Sequence, residues 1–156
     1  MDEEQFDING FTSTYDHRLY YLIPPADSEW VEEYEGFSYP KHINLDEAAD
    51  YLKRTYLPDY AELGYYNYWE GSEPTAMEWH NDHIEGCDVF FIYFLNDVSV
   101  GGELMFRRTG GDITGMIQPR KHLLVKGSQK TSFEHIAVYS PEKRYVCNFG
   151  FKVEWI

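Results

Sequence analysis

From Gly64 to the C-terminus the apolar residues recur with a period of two rather than the 3.6 of a helix. The alternation comes in short runs broken by Gly, Asn, Asp and Pro: GYYNYW, TAMEWHND, CDVFFIYFL, GELMF, GMIQ, KHLLVKG, SFEHIAVY and RYVCNFGFKVEW. About eight strands so closely spaced, with no helical pattern between them, bury their apolar faces by packing sheet on sheet or closing into a barrel. Aromatic residues, 18% of the chain, suit the flat, half-buried surface of strands. With 156 residues the chain fits one domain. We expect a mainly β domain with supporting α-helices, in which residues 64–156 form a jelly roll or double-stranded β-helix and residues 1–63 form a helical and extended support.

Within that support, HRLYYLIPP (His17 to Pro25) reads as a strand ended by two prolines, and SEWVEEYE (Ser28 to Glu35) as a short helix with Ser28 as N-cap. A clearer helix starts at Asn44, with Glu47 placed to reach back in a capping box. Leu45, Ala48, Ala49, Leu52 and Tyr56 then form one apolar stripe, and Pro58 marks the end.

Charge narrows the partners. Acidic residues outnumber basic ones 27 to 13, a formal net charge of −14, which repels phosphate backbones and anionic membrane surfaces. We expect neither nucleic acid nor membrane as a partner. The N-terminal MDEEQFDING has no basic n-region or apolar h-region, and no run approaches the ~18 apolar residues of a span. A soluble, cytoplasmic protein is expected. Cys87 and Cys147 sit in apolar runs and read as buried packing residues rather than a disulfide.

The stretch WHNDH, residues 79–83, concentrates metal-ligating side chains. On a strand, residues two apart share a face, so His80 and Asp82 project together while Asn81 and His83 project oppositely. By the same parity Trp79 turns away from His80 and is expected to pack against the helical support, and Glu78 shares the ligand face as a rim carboxylate. A third ligand must come from elsewhere. His135, in the late strand SFEHIAVY, returns beside the first strand in a rolled-up sheet, and its neighbour Glu134 faces the other way. Two imidazoles and one carboxylate on one side of an ion leave the opposite positions open, the facial set of non-haem Fe(II) oxygenases. Zinc accepts the same donors and also keeps an open position. A metal-binding jelly roll without catalysis is therefore the alternative. Arg144 in PEKRYVCNFGF discriminates, because its guanidinium is a rigid two-pronged donor for a carboxylate and a zinc hydrolase needs no such clamp there.

With those residues in place, the chain resembles the Fe(II)- and 2-oxoglutarate-dependent dioxygenases, specifically their prolyl 4-hydroxylase-like branch. The resemblance runs in order through YWEG (Tyr68 to Gly71), HND (His80 to Asp82), FLND (Phe94 to Asp97), GGELMF (Gly101 to Phe106), GMIQPRKHLLVKGS (Gly115 to Ser128), His135 and Arg144-Tyr145. It implies a cupin-like core. It makes His80, Asp82 and His135 the iron ligands, Arg144 the partner of the distal carboxylate of 2-oxoglutarate, and Tyr68 a further co-substrate contact. Phe94 and Leu104 stand where many members carry a tyrosine and some a threonine, so co-substrate contacts differ in detail. Lys143 replaces Arg144 if the register slips by one, and His122 is the next candidate ligand after His135.

The implied cofactors are Fe(II), 2-oxoglutarate as co-substrate, O2, and ascorbate as reductant. The implied reaction couples decarboxylation of 2-oxoglutarate to succinate and CO2 with hydroxylation of a peptidyl proline. A free amino acid or another small metabolite is the alternative substrate. Trp69, Phe91, Tyr93, Phe106 and Phe149 are aromatics available to wall the site.

Overall fold

A computed structural model describes residues 1–24, 29–34, 37–71, 79–81, 86–138 and 140–153. Two antiparallel sheets carry the chain. The larger, in the order β1-β8-β5-β10-β4-β3-β2, has seven strands, and the smaller, β7-β6-β9, has three. They comprise β1 (Phe11–Tyr15), β2 (Trp30–Tyr34), β3 (Phe37–Pro40), β4 (Glu62–Gly71), β5 (Val89–Phe94), β6 (Leu104–Arg108), β7 (Ile113–Ile117), β8 (Leu123–Ser128), β9 (Phe133–Ala137) and β10 (Arg144–Lys152). The helices among the described residues are α1 (Glu3–Asn9), α2 (His17–Tyr20) and α3 (Asp46–Tyr56). An isolated antiparallel bridge, His80 to His135, extends the smaller sheet beyond β9. The expected jelly-roll plan is therefore present.

Alternation along the strands divides the larger sheet's two faces between two cores. Phe91, Tyr93, Cys147, Phe149 and Phe151 point to the side of α3, where they meet Leu45, Ala48, Ala49 and Leu52. Phe90, Phe94, Val125 and Val146 point the other way, onto Leu104, Phe106 and Ile117 of the smaller sheet. Glycines make room for rings within and between the sheets: a Cβ on Gly127 would sit 2.0 Å from Phe90 on the neighbouring strand of the larger sheet, and one on Gly115 of the smaller sheet would sit 2.2 Å from Phe11 of the larger. Both cysteines are buried and free, as expected of packing residues.

Strands of the C-terminal part coincide with the period-two runs, except that TAMEWHND lies largely outside the described residues, which there comprise only 79–81. The stripe of α3 is also as expected, with Leu45, Ala48, Ala49 and Leu52 buried and Asn44 Oδ1 accepting from Asp46 N–H at 2.9 Å. The helix begins one residue later than a cap at Asn44 implies, at Asp46.

Two expectations in the first part fail. His17 to Tyr20 is helical, because Asp16 caps that turn by accepting from Leu19 N–H at 3.0 Å. The segment read as a helix from Ser28 contains strand β2, Trp30 to Tyr34, held by its hairpin with β3; Ser28 itself lies outside the described residues. With β1 paired to β8, the first 63 residues thus lend three strands to the larger sheet. Among the described residues no helix is long and apolar enough to cross a membrane.

Candidate active site

His80 and His135 exchange both backbone hydrogen bonds, His80 N–H to His135 O at 3.0 Å and His135 N–H to His80 O at 2.9 Å. Residues so paired in an antiparallel ladder project from one face. Their imidazole centroids lie 4.5 Å apart. That face is the inner one: the His135 ring is 5.0 Å from Phe90 on the larger sheet and 6.0 Å from Phe106 on β6. His135 is buried, and the two imidazoles meet inside the sandwich.

The segment bearing His80 is fixed from both sides. Asn81 Nδ2 donates to the carbonyls of Lys130, at 2.8 Å, and Phe133, at 3.1 Å. Trp79 takes the opposite parity to His80, but it does not reach the helical layer. It lies under the Arg107 guanidinium, 4.5 Å from the ring centroid, on the outer face of the smaller sheet, because that sheet is the nearer neighbour. Arg107 is in turn held by Glu134 at 2.9 Å, so Glu134 faces away from its neighbour His135, as strand parity requires.

Asp82, Glu78 and His83 lie outside the described residues. Among the described residues no third His, Cys, Asp or Glu joins the two histidines in a group able to hold a metal. Two imidazoles on adjacent strands are nevertheless an apt donor pair for a divalent first-row ion, needing a carboxylate and open positions to complete a facial set.

Arg144 opens β10 on the opposite sheet. It is buried, shares a face with Val146, and so turns into the same inter-sheet core as Phe90 and Phe106. Its Nη1 donates to Gly102 O at 3.3 Å, and its guanidinium carbon stands 5.3 Å from the Trp69 ring centroid. Gly102, at φ 75°, adopts the left-handed conformation that presents this carbonyl to the arginine. Lys143 is exposed and ion-paired to Glu70 at 3.6 Å, so the inward cation is Arg144 and not its neighbour. The His122 ring meets His17 and Tyr20 near α2, where burial and the neighbouring His17 and Lys121 lower its pKa.

Tyr68 is not brought to this face. It pairs with Cys147 in the β4–β10 ladder, and both side chains belong to the core beneath α3, with Trp30 at 5.8 Å from the Tyr68 ring. Burial, with smaller contributions from Cys147, Tyr145 and Glu70, pushes the phenol up to about 12. Its neighbour Trp69 has the inward parity instead, and stacks on Phe37 at 5.1 Å. The expected aromatic wall divides in the same manner. Trp69 and Phe106 border the site, whereas Phe91, Tyr93 and Phe149 face the helices. Phe90 was missed, although its signal is present: it stands opposite Gly127, whose missing side chain gives its ring room. Phe94 and Leu104 are buried on the site face and supply apolar surface only.

No protein-family model matches the chain, and no curated protein matches its sequence. Solved structures do match. An oxidoreductase of the 2OG-Fe(II) oxygenase family from Burkholderia pseudomallei is similar with a TM-score of 0.68 and 13% identity, over 97% of this chain and 88% of that one. A prolyl hydroxylase from Trichoplax adhaerens, in complex with a hypoxia inducible factor peptide fragment, gives 0.61 and 14% over 95% and 86%. HygX from Streptomyces hygroscopicus, with nickel, 2-oxoglutarate and hygromycin B bound, gives 0.62 and 12% over 97% and 87%. The chain has the jelly-roll fold of the 2OG-Fe(II) oxygenases.

Proposed function

We propose that the protein is an Fe(II)- and 2-oxoglutarate-dependent dioxygenase that hydroxylates a prolyl residue of a peptide or protein. The observation that carries this is the paired inward projection of His80 and His135, with buried Arg144 on the facing sheet. His80, His135 and Asp82 would hold the metal, and Arg144 the distal carboxylate of the co-substrate. Bound Fe(II) supplies the coordination sites for 2-oxoglutarate and O2 and the oxidising chemistry.

The chain's own part is positioning and shielding. The backbone bridge fixes the main chain beneath both imidazoles, so an ion would meet them already side by side. Phe90, Phe106 and Trp69 keep bulk water from the metal's surroundings and strengthen the charge interaction at Arg144 by lowering the local dielectric. Prolyl substrates are favoured because solved neighbours include prolyl hydroxylases, one with a peptide bound. A small-molecule substrate is the second reading, favoured by the neighbour that holds hygromycin B.

The test is an anaerobic Fe(II) titration followed by 2-oxoglutarate and O2, with succinate measured. His80→Ala and His135→Ala each weaken metal binding at least about tenfold and abolish succinate. Arg144→Met weakens 2-oxoglutarate about 30-fold or more, as expected for losing one partner of a buried charge pair, and leaves metal affinity unchanged. Unaltered succinate in the histidine variants, or equal loss of metal and 2-oxoglutarate in Arg144→Met, overturns the assignment.

A further inference from the structure

The inner face of the larger sheet continues past Arg144 toward its β2 edge. There a groove of about 220 Å³ has Glu33, Phe37, Tyr39, Asn67, Trp69 and Asn148 among its lining residues. Register places Phe37 opposite Gly71 and Gly71 opposite Arg144, so these residues share the face on which Arg144 projects. Trp69 is common to both places, stacked on Phe37 on the groove side and 5.3 Å from the Arg144 guanidinium. The groove thus adjoins the candidate active site.

Its size and chemistry restrict what it takes. A volume of about 220 Å³ lies below the ~300 Å³ where small-molecule pockets begin, and matches one side chain better than a whole ligand. Phe37, Tyr39 and Trp69 give it aromatic surface, and Glu33 adds a carboxylate at the exposed rim. Asn148 Nδ2 donates to Asn67 Oδ1 at 2.8 Å, leaving the outer amide atoms of both for a backbone or a polar stem. Among the described residues no lysine or arginine lines the groove. Beside it, β2 is the end strand of the sheet. Aromatic faces with one carboxylate, on a chain of net charge −14, complement a cation carried on an extended segment.

We propose that this groove is a specificity subsite for a lysine or arginine side chain of the peptide substrate, read by Glu33 and by the Tyr39 ring, with the stacked Phe37–Trp69 pair supplying apolar surface beside them. The proposal rests on the dioxygenase reading for the identity of the site it adjoins. The cation's apolar stem lies along the rings while its head meets Glu33, so an uncharged isostere of the same length keeps the packing and loses the charge interaction.

The experiment is fluorescence anisotropy on the full chain with three labelled decapeptides. Each has a central proline and carries lysine, norleucine or glutamate at one position scanned across the sequence. The lysine peptide binds about three- to tenfold tighter than the norleucine peptide at the best position, the sum of one exposed cation–π contact and one rim ion pair, and the glutamate peptide binds weakest. Glu33→Gln and Tyr39→Ala both remove most of the lysine preference, while circular dichroism reports an unchanged melting curve for the exposed Glu33→Gln. Equal affinity for lysine and norleucine peptides at every position, or a preference that survives both substitutions, overturns the proposal. Succinate formation without peptide is read separately, so failure of the dioxygenase reading is distinguishable from failure of the subsite.

Discussion

Asp16 shows how one side chain can organise several elements. Its carboxylate accepts from Leu19 N–H at 3.0 Å, from Tyr51 OH at 2.8 Å, and from Tyr56 OH, and its carbonyl accepts from Tyr93 OH at 2.6 Å. Burial works to raise its pKa, but the hydrogen bonds from Tyr56, Leu19 and Tyr51 outweigh it and hold the carboxyl below its ordinary value. The native state therefore binds this proton less readily than the unfolded chain does. The stabilisation is fully present above the ordinary aspartate pKa of ~3.9 and is lost as pH falls through the lower native value. Asp16→Asn should flatten the acid limb of a stability–pH curve measured by urea unfolding between pH 2 and 6; a limb of unchanged slope would place the acid sensitivity elsewhere. Residue-scale reasoning from sequence reached His80 and His135, because alternation along a strand is local. It named Tyr68 as a co-substrate contact and Trp69 as a wall residue without fixing which face either takes. Both are aromatic, and only pairing with Cys147 and Val146 decides which of them turns inward.

Among the elements, the short segment 79–81 has the greatest consequence for the site, since it carries His80 and, among the described residues, joins the smaller sheet by one bridge. Its anchorage falls to side chains: Asn81 on the carbonyls of Lys130 and Phe133, and Trp79 under the Arg107–Glu134 pair. Asn81→Ala removes two hydrogen bonds from this segment while leaving the core untouched. We expect metal affinity to fall severalfold, in line with the ~10-fold or greater cost of losing groups that orient ligands, with a change in unfolding free energy of about 1 kcal/mol or less. A metal titration beside a urea melt checks this, and a large loss of stability with unchanged metal affinity would count against the anchoring role. Such a segment is barely legible in sequence. WHNDH marks His80 by strand parity, but nothing local states that its partner is His135 on β9. The same holds for β2, whose WVEEY run has too few apolar positions to declare a strand and is strand because β3 pairs with it.

At the scale of the whole molecule, the net charge of −14 bears on stability as well as on partners. Raising ionic strength from 0.01 to 0.1 M shortens the Debye length from ~30 to ~10 Å and screens this self-repulsion. The melting temperature should rise by about 2–4 °C, equivalent to about 1 kcal/mol for a domain of this size. A fall would mean that ion pairs such as Lys126–Glu3, at 2.7 Å, contribute more than the repulsion costs. The sequence by itself determined the period-two strands, the α3 stripe, the acidic surface and the identity of two inward histidines, all properties that depend on neighbours a few residues apart. Only the tertiary structure decided that β1, β2 and β3 extend the larger sheet, that Arg144 rather than Lys143 turns inward, and that Tyr68 belongs to the helical side. Those outcomes depend on which strands lie side by side and on which face each one buries. Such pairings join residues distant in the chain, and no local pattern encodes them.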